Sequence, residues 1–141
     1  MDSAYLDQEL GKVDPDYFNI LIAHNPDYFP KYAVWGADLV LSGHVHGGIV
    51  QIPFWHRGCA SPNIRLFPWY DSGIFAMDKQ DSQAMETDHR KWPRGNRLKD
   101  INGDFRKNSL MYLNRGLGMH TIPIRLFNPG ELVVIDFMPE K

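Results

Sequence analysis

Short apolar runs separated by polar segments rich in glycine and proline set the pattern of this chain. Two runs come early, at residues 19–23 and 38–41, and each has the length and apolar character of a buried strand. The segment between them predicts a short crossover helix, because Asn25 is a good N-cap, Pro26 suits the first helical position and Gly36 is a typical terminator. Strand, helix and strand form a βαβ unit with about the dozen connecting residues that a parallel crossover needs.

The remaining runs predict mainly β structure. A short helix is expected at residues 3–11, and further strands at residues 49–52, 73–77, 110–113 and 132–137. Residues 78–108 are polar and rich in charge, which is typical of an exposed or disordered insertion. The predicted fold class is therefore α/β, with one βαβ unit followed mainly by strands.

Histidines stand where the two early strands end. His24 follows the first strand directly, and His44 and His46 follow the second within Gly-His-Val-His-Gly-Gly, where the glycines allow a sharp turn. The carboxyl ends of adjacent parallel strands lie about 4.8 Å apart, so the three imidazoles should come together. Imidazole is the commonest metal-binding side chain, and this grouping predicts a metal site. An isolated His-x-His pair would fit a solvated loop or a hydrogen-bonded core pair equally well.

Composition narrows the classes of partner. The formal net charge is −2 at pH 7, so no bulk attraction to nucleic acid is expected. Cys59 is the single cysteine, which excludes a disulfide within the chain. No apolar run approaches the length of a transmembrane helix.

Two segments resemble a known family. "ILIAHNPD" at residues 20–27 and "ADLVLSGHVHGG" at residues 37–48 resemble the last two motifs of the calcineurin-like metallophosphoesterases. The tail "YLNRGLGMHTIPIRLFNPGELVVIDF" at residues 112–137 is similar to the end of one bacterial branch, which includes cell-envelope phosphoesterases and UDP-diacylglucosamine hydrolases. The resemblance implies the carboxyl half of an α/β/β/α sandwich.

This resemblance implies a binuclear phosphoester hydrolase with two divalent metal ions, which would be Mn, Fe or Zn. It assigns His24 and His44 to one ion and His46 to the neighbouring ion. Two such ions generate a hydroxide nucleophile and stabilise the attacking and leaving oxygens. The implied substrate is a phosphorylated small molecule or a lipid-linked phosphoester, cleaved in the cytoplasm or at the surface of a bacterial membrane.

Three earlier motifs of the family have no counterpart: Asp-x-His, Gly-Asp-x-x-Asp with its bridging aspartate, and Gly-Asn-His-Asp/Glu. Residues 1–141 therefore predict a partial metallophosphoesterase domain with an insertion at about 78–108. The chain would be a fragment, would work with a second polypeptide that supplies the amino-terminal half, or would be a non-catalytic metal-binding or interaction module. Three imidazoles alone could also hold one zinc ion with an open water position.

Two basic features are candidates for substrate contact. Arg115 lies in a glycine-containing turn after the strand at residues 110–113 and could pair with a phosphate, or it could form a structural salt bridge. Residues 89–99 are basic around Trp92 and could hold an anionic substrate or touch an acidic membrane surface, or form a solvated loop. Residues 81–100 could act as a mobile lid.

Overall fold

The computed structural model describes residues 3–44, 51–52, 57–58, 70–80, 96–98, 107–118 and 127–138. The helices in these ranges are α1 (Ser3–Leu10), a 3₁₀ helix (Pro26–Tyr28) and α2 (Phe29–Trp35). The strands are β1 (Ile20–Ile22), β2 (Leu39–Ser42), β3 (Gln51–Ile52), β4 (Arg57–Gly58), β5 (Gly73–Asp78), β6 (Asn96–Leu98) and β7 (Asn108–Leu113).

Five of these strands form one mixed sheet in the order β1-β2-β7-β5-β6. β1, β2 and β7 run parallel, while β5 is antiparallel to β7 and β6 is antiparallel to β5. β3 and β4 form a separate antiparallel pair. The predicted α/β class is thus confirmed, as is the βαβ unit that joins β1 to β2.

The crossover in this unit begins and ends where the sequence predicts. The Asn25 side chain accepts a hydrogen bond of 3.0 Å from the Asp27 backbone N–H, and Pro26 opens the 3₁₀ helix. Gly36 ends α2 in the left-handed region at φ 111°, and its N–H donates to the carbonyls of Ala33 and Tyr32. A side chain here would be strained, so glycine fits this C-terminal position.

One face of the sheet packs against α2, which packs in turn against α1, and this side forms the core. Cross-strand neighbours Leu21, Val40, Met111 and Phe75 share this face because they are in register across β1, β2, β7 and β5. All four are buried, together with residues from α1, α2, the flanking loops and further positions of β5 and β7: Leu6, Phe29, Tyr32, Ala33, Ala37, Tyr70, Met77 and Leu113. This continuous apolar layer anchors the strands whose ends carry the histidines.

The opposite face of the sheet is covered unevenly. Ile22, Leu41 and Tyr112 are neighbours on it, and the Ile22 side chain is 82% exposed. The carboxyl-terminal segment (residues 131–138) lies over part of this face. The Tyr112 hydroxyl donates to Glu131, and the Phe137 ring packs edge to face against the Phe18 ring, with the ring centroids 5.9 Å apart. The β1 end of the face is left open to solvent.

The prediction of a strand at residues 132–137 is wrong, because the backbone there is irregular. Exposure still alternates as in a strand, because Leu132 and Val134 are 82% and 80% exposed while Val133 and Ile135 are partly buried. The apolar pattern reports which side chains can be buried, whereas strand assignment also needs a hydrogen-bonded neighbour. Among the described residues this segment pairs with no strand.

The predicted insertion at residues 78–108 lies mostly outside the described residues, as do the basic stretch around Trp92 and the suggested lid. Within it, β6 pairs with β5 at the edge of the main sheet. Arg97 of β6 forms an ion pair with the buried Asp71 and lies 5.2 Å above the Phe75 ring. This short part of the polar stretch is therefore tied to the sheet.

Replacing Gly36 with alanine should destabilise the fold more than the same change at Gly11. Both glycines have positive φ, which costs an L-residue about 1–2 kcal/mol. A Cβ at Gly36 would also come within 2.6 Å of the Val13 Cγ2 atom, whereas one at Gly11 would meet nothing within 4 Å. We expect Gly36→Ala to lose about 1–3 kcal/mol more than Gly11→Ala in urea unfolding followed by circular dichroism.

Val13→Ala in the Gly36→Ala background supplies the control for this comparison. It should recover part of the loss, because it removes the methyl group that the new Cβ meets. Equal losses at Gly36 and Gly11, without recovery, would contradict the close contact at Val13.

Candidate metal centre

The histidines lie at the edge where three parallel strands end. Ser42, the last residue of β2, is in register with Leu113, the last residue of β7. His24 follows the end of β1 by two residues, His44 follows the end of β2 by two, and Arg115 follows the end of β7 by two. Parallel pairing therefore places His24, His44 and Arg115 at the same edge of the sheet, where open α/β sheets usually bind ligands.

Two imidazoles meet at this edge. The His44 Nδ1 atom lies 2.8 Å from the His24 Nε2 atom, and the rings meet edge to face with their centroids 4.6 Å apart. At this distance one nitrogen donates a proton and the other accepts it, with the roles set by the tautomers. A cation that replaces this shared proton would contact both nitrogens. Neutral imidazole nitrogens suit Zn, Fe and related divalent ions, so the donor pair fits a metal.

His44 itself makes the turn after β2. Its φ is 67°, in the left-handed region, where non-glycine residues are uncommon and histidine is among the enriched types. The sequence suggested that the flanking glycines would supply this turn, but φ at Gly43 is not positive and a Cβ there would meet nothing within 4 Å. The unusual backbone conformation thus falls on the residue that aims its ring at His24.

Hydrogen bonds fix the backbone beneath the two rings. The buried Ser42 hydroxyl donates to the His24 carbonyl at 3.0 Å, and the Ala23 N–H donates to the Leu41 carbonyl at 3.0 Å. The Asn114 N–H donates to the Ser42 carbonyl at 2.8 Å. The ends of β1, β2 and β7 are therefore tied to one another at the level of the histidines.

A cavity of about 530 Å³ opens beside His24. Its polar side contains His24, Ser42 and Asn114. The rest of its lining is mostly apolar and comes from the open face of the sheet and from the carboxyl-terminal segment: Ile22, Ala23, Leu41, Gly43, Tyr112, Val133 and Ile135. The cavity thus combines a small polar end with an apolar wall, an arrangement typical of ligand sites.

Glu131 binds two residues near this cavity. Its Oε1 accepts from the Tyr112 hydroxyl at 2.7 Å, and its Oε2 accepts from the Arg115 backbone N–H at 3.0 Å and from the Arg115 Nε at 3.3 Å. The sequence left a substrate contact and a salt bridge open for Arg115, and the structure contains this salt bridge. The substrate contact stays a prediction.

The same hydrogen bonds contribute to pKa shifts of the Tyr112 hydroxyl and the Glu131 carboxyl group. Burial raises the pKa of Tyr112 to about 12, and the bond to Glu131 and its charge add to the rise. Burial also disfavours the Glu131 carboxylate, but the Arg115 backbone N–H, the Tyr112 hydroxyl and the Arg115 guanidinium outweigh it and hold the pKa of Glu131 below its ordinary value. Glu131 is thus an ionised acceptor at neutral pH.

The sequence analysis missed Glu131, Tyr112 and Asn114. Glu131 carried a weak signal, as a carboxylate directly after Asn-Pro-Gly and before an apolar run. Nothing in the sequence pairs it with Tyr112, which lies 19 residues earlier.

The third predicted ligand, His46, lies outside the described residues. Across the ranges that the structure describes, no group of three or more histidine, cysteine, aspartate or glutamate side chains is arranged to hold a metal ion. Of the predicted ligands, the structure describes His24 and His44, which face each other. In the same ranges, no helix has both the length and the apolar character needed to cross a membrane.

Comparison with known proteins gives one distant relationship. The chain is 28% identical over 125 residues to the uncharacterized metallophosphoesterase YkuE of Bacillus subtilis (strain 168). The match covers 89% of this chain and 32% of the relative, so the chain spans about a third of the relative's length. No family model matches the chain, and no solved structure matches it.

This relationship agrees with the fold. A five-stranded mixed sheet with few helices is consistent with the carboxyl half of a metallophosphoesterase fold. The similarity supports the calcineurin-like family at most and does not reach the UDP-diacylglucosamine hydrolase branch.

Proposed function

We propose that this chain carries part of the binuclear metal site of a phosphoester hydrolase. The observation that carries the proposal is the pair of imidazole nitrogens 2.8 Å apart at the carboxyl edge of a parallel sheet, beside a cavity of about 530 Å³. The similarity to a metallophosphoesterase over 89% of the chain supports the same chemistry.

In this proposal His24 and His44 hold one divalent ion, Mn, Fe or Zn, and His46 belongs to its neighbour. When bound, such ions lower the pKa of water and stabilise charge on the oxygens of a phosphoester. The residues of this chain orient the site: Ser42 fixes the His24 backbone, and the conformation of His44 directs its ring toward His24. Neither ring can bind the ion through its facing nitrogen while that nitrogen holds a proton, so ion binding would require the shared proton to move to the outward nitrogen of its own ring.

A neutral imidazole binds only one ion, so the proposed binuclear site needs a bridging ligand such as a carboxylate. Within the described residues, no cluster of three or more candidate ligands supplies one. We propose that a further part of the domain, on the same polypeptide or on a second chain, completes the site. The match to about a third of YkuE supports this proposal, as does the open sheet face, where Ile22 is 82% exposed. Exposed apolar surface of this kind commonly marks an interface.

The proposed substrate is a phosphorylated small molecule or a lipid-linked phosphoester. Arg115 would contact its phosphate, since a guanidinium pairs with two phosphate oxygens at once. The apolar wall formed by Ile22, Val133 and Ile135 suits a carbon-rich substituent next to the phosphate. A substrate resembling UDP-diacylglucosamine, which carries two acyl chains, is the most specific form of this proposal.

A second candidate is a non-catalytic module that binds one metal ion or none and works through a partner chain. It is favoured by one observation, that the described residues contain two facing imidazoles but no third ligand beside them. Metal content and hydrolysis together distinguish it from the enzyme.

The purified chain should contain a divalent metal that depends on both facing imidazoles. We expect about one ion per chain by elemental mass spectrometry if His24 and His44 form half of the site, and about two if carboxylates outside the described residues complete it. His24→Ala and His44→Ala should each lose the ion, because one imidazole alone binds weakly.

His89→Ala is the matched control, since His89 lies outside the predicted ligand set. It should retain the wild-type metal content. A wild-type chain without metal, or one whose metal content is the same in all three variants, would contradict the site. Metal without hydrolysis of bis(p-nitrophenyl) phosphate, even after the chain is combined with the amino-terminal part of a relative, would favour the non-catalytic module.

Ser42→Ala should weaken metal binding without abolishing it. The Ser42 hydroxyl holds the His24 carbonyl, and losing one hydrogen bond of this kind corresponds to about a fivefold loss of affinity. Ser109→Ala is the control: it removes a buried hydroxyl that has no hydrogen-bond partner among the described residues. Competition with a fluorescent chelator measures both affinities, and equal affinities in the two variants would exclude a role for Ser42.

A further inference from the structure

Glu131 joins three parts of the molecule at the candidate site. It binds Tyr112 at the end of β7 and Arg115 in the following turn, and its own backbone N–H donates to the Gly116 carbonyl at 3.1 Å. Beyond it, the segment continues to Val133 and Ile135, which line the cavity. One carboxylate therefore connects the turn after β7 to the apolar wall of the site.

The register of the sheet puts this network next to the facing histidines. Arg115 and His44 both follow the paired strand ends Leu113 and Ser42 by two residues. Tyr112 lines the same cavity as His24. The Glu131 carboxylate thus accepts from Tyr112, which lines the cavity, and from Arg115, which directly follows the cavity-lining residue Asn114.

Two contacts to one carboxylate oxygen restrict Arg115. Glu131 Oε2 accepts both from the backbone N–H and from the side-chain Nε of Arg115, at 3.0 and 3.3 Å. Because the guanidinium is planar, holding Nε and the main chain together limits the directions in which the rest of the group can point. The Glu131 and Arg115 side chains are only 19% and 23% exposed, so water competes weakly for these contacts.

We propose that Glu131 is a positioning residue that orients the Arg115 guanidinium toward the phosphate of a substrate bound beside His24. The proposal rests on the proposed function, since it assumes a phosphate at this cavity. Glu131 itself does not touch the substrate and acts through Arg115, while Tyr112 holds the other carboxylate oxygen.

If Glu131 acted on phosphate through its charge alone, removing that charge would change phosphate affinity in the opposite direction from the one that an orienting role predicts. A carboxylate near an anion repels it, and it also competes with phosphate for Arg115, so neutralising Glu131 would tighten phosphate binding if it had no orienting role. If Glu131 orients Arg115, the same change weakens phosphate binding. The sign of the effect therefore separates the two explanations.

The test is a double-mutant cycle on the metal-loaded chain, with inorganic phosphate as the probe in isothermal titration calorimetry. Glu131→Gln and Arg115→Ala should each weaken phosphate binding by about tenfold, and the double variant should be no weaker than Arg115→Ala alone. Asp136→Asn is the matched control, because Asp136 is an exposed carboxylate in the same segment. It should bind phosphate as tightly as the wild type or slightly more tightly.

Arg115→Lys serves as a second variant that keeps the positive charge but lacks the planar guanidinium, whose Nε–H donates to Glu131. It should lose nearly as much affinity as Arg115→Ala. Phosphate binding at wild-type strength in Arg115→Lys, binding that is unchanged or tighter in Glu131→Gln, or additive losses in the double variant would each overturn the positioning role.

Metal content and melting temperature, measured on every variant, separate this outcome from failure of the proposed function. A wild-type chain that takes up metal and binds phosphate, with no loss in Glu131→Gln, contradicts the role of Glu131 alone. A wild-type chain that binds neither metal nor phosphate contradicts the proposed function, and the role of Glu131 with it.

Discussion

The parallel register of β1, β2 and β7 is the constraint on which the site depends. Strands that run in the same direction and end at the same level bring the following residues to one edge, however far apart they are in sequence. Here the register places Ser42 opposite Leu113 and Ile22 opposite Leu41. A slip of one residue would exchange the two faces of a strand, so the buried layer of Leu21, Val40 and Met111 also fixes where His24 and His44 meet.

The two faces of the sheet have different roles. The helix side holds the apolar core, and its burial supplies the free energy that keeps the strand ends in place. The other side carries the cavity, the Glu131 network and the exposed Ile22. The candidate site therefore lies on the less completely covered face, which is where the proposed further part of the domain would contact the sheet.

Local signals in the sequence were enough to predict the βαβ unit. Asn25, Pro26 and Gly36 act through their own backbone and nearest neighbours, so their positions define the crossover without tertiary information. The approach of His24 to His44 was also predictable, because it follows from two short strands and their direction. Other features depend on pairing between distant residues. One such feature is the position of β7 between β2 and β5. Another is the left-handed conformation of His44, which the neighbouring Gly43 does not adopt. No local sequence pattern predicts either feature.

Glu131 shows most clearly why the rest of the site could not be predicted. Its apolar neighbours predicted a strand, and alternation of exposure does follow the segment, but the interactions that define it are made by one polar side chain with Tyr112 and Arg115. A partly buried carboxylate keeps a lowered pKa only where hydrogen-bond donors contact it, so the position of Glu131 depends on the turn after β7 as well as on its own segment. The carboxyl-terminal segment thus contributes to the cavity through packing by Val133 and Ile135 and through charge at Glu131. Because the same residue holds both the segment and Arg115, the geometry of the cavity wall and the direction of the guanidinium are coupled.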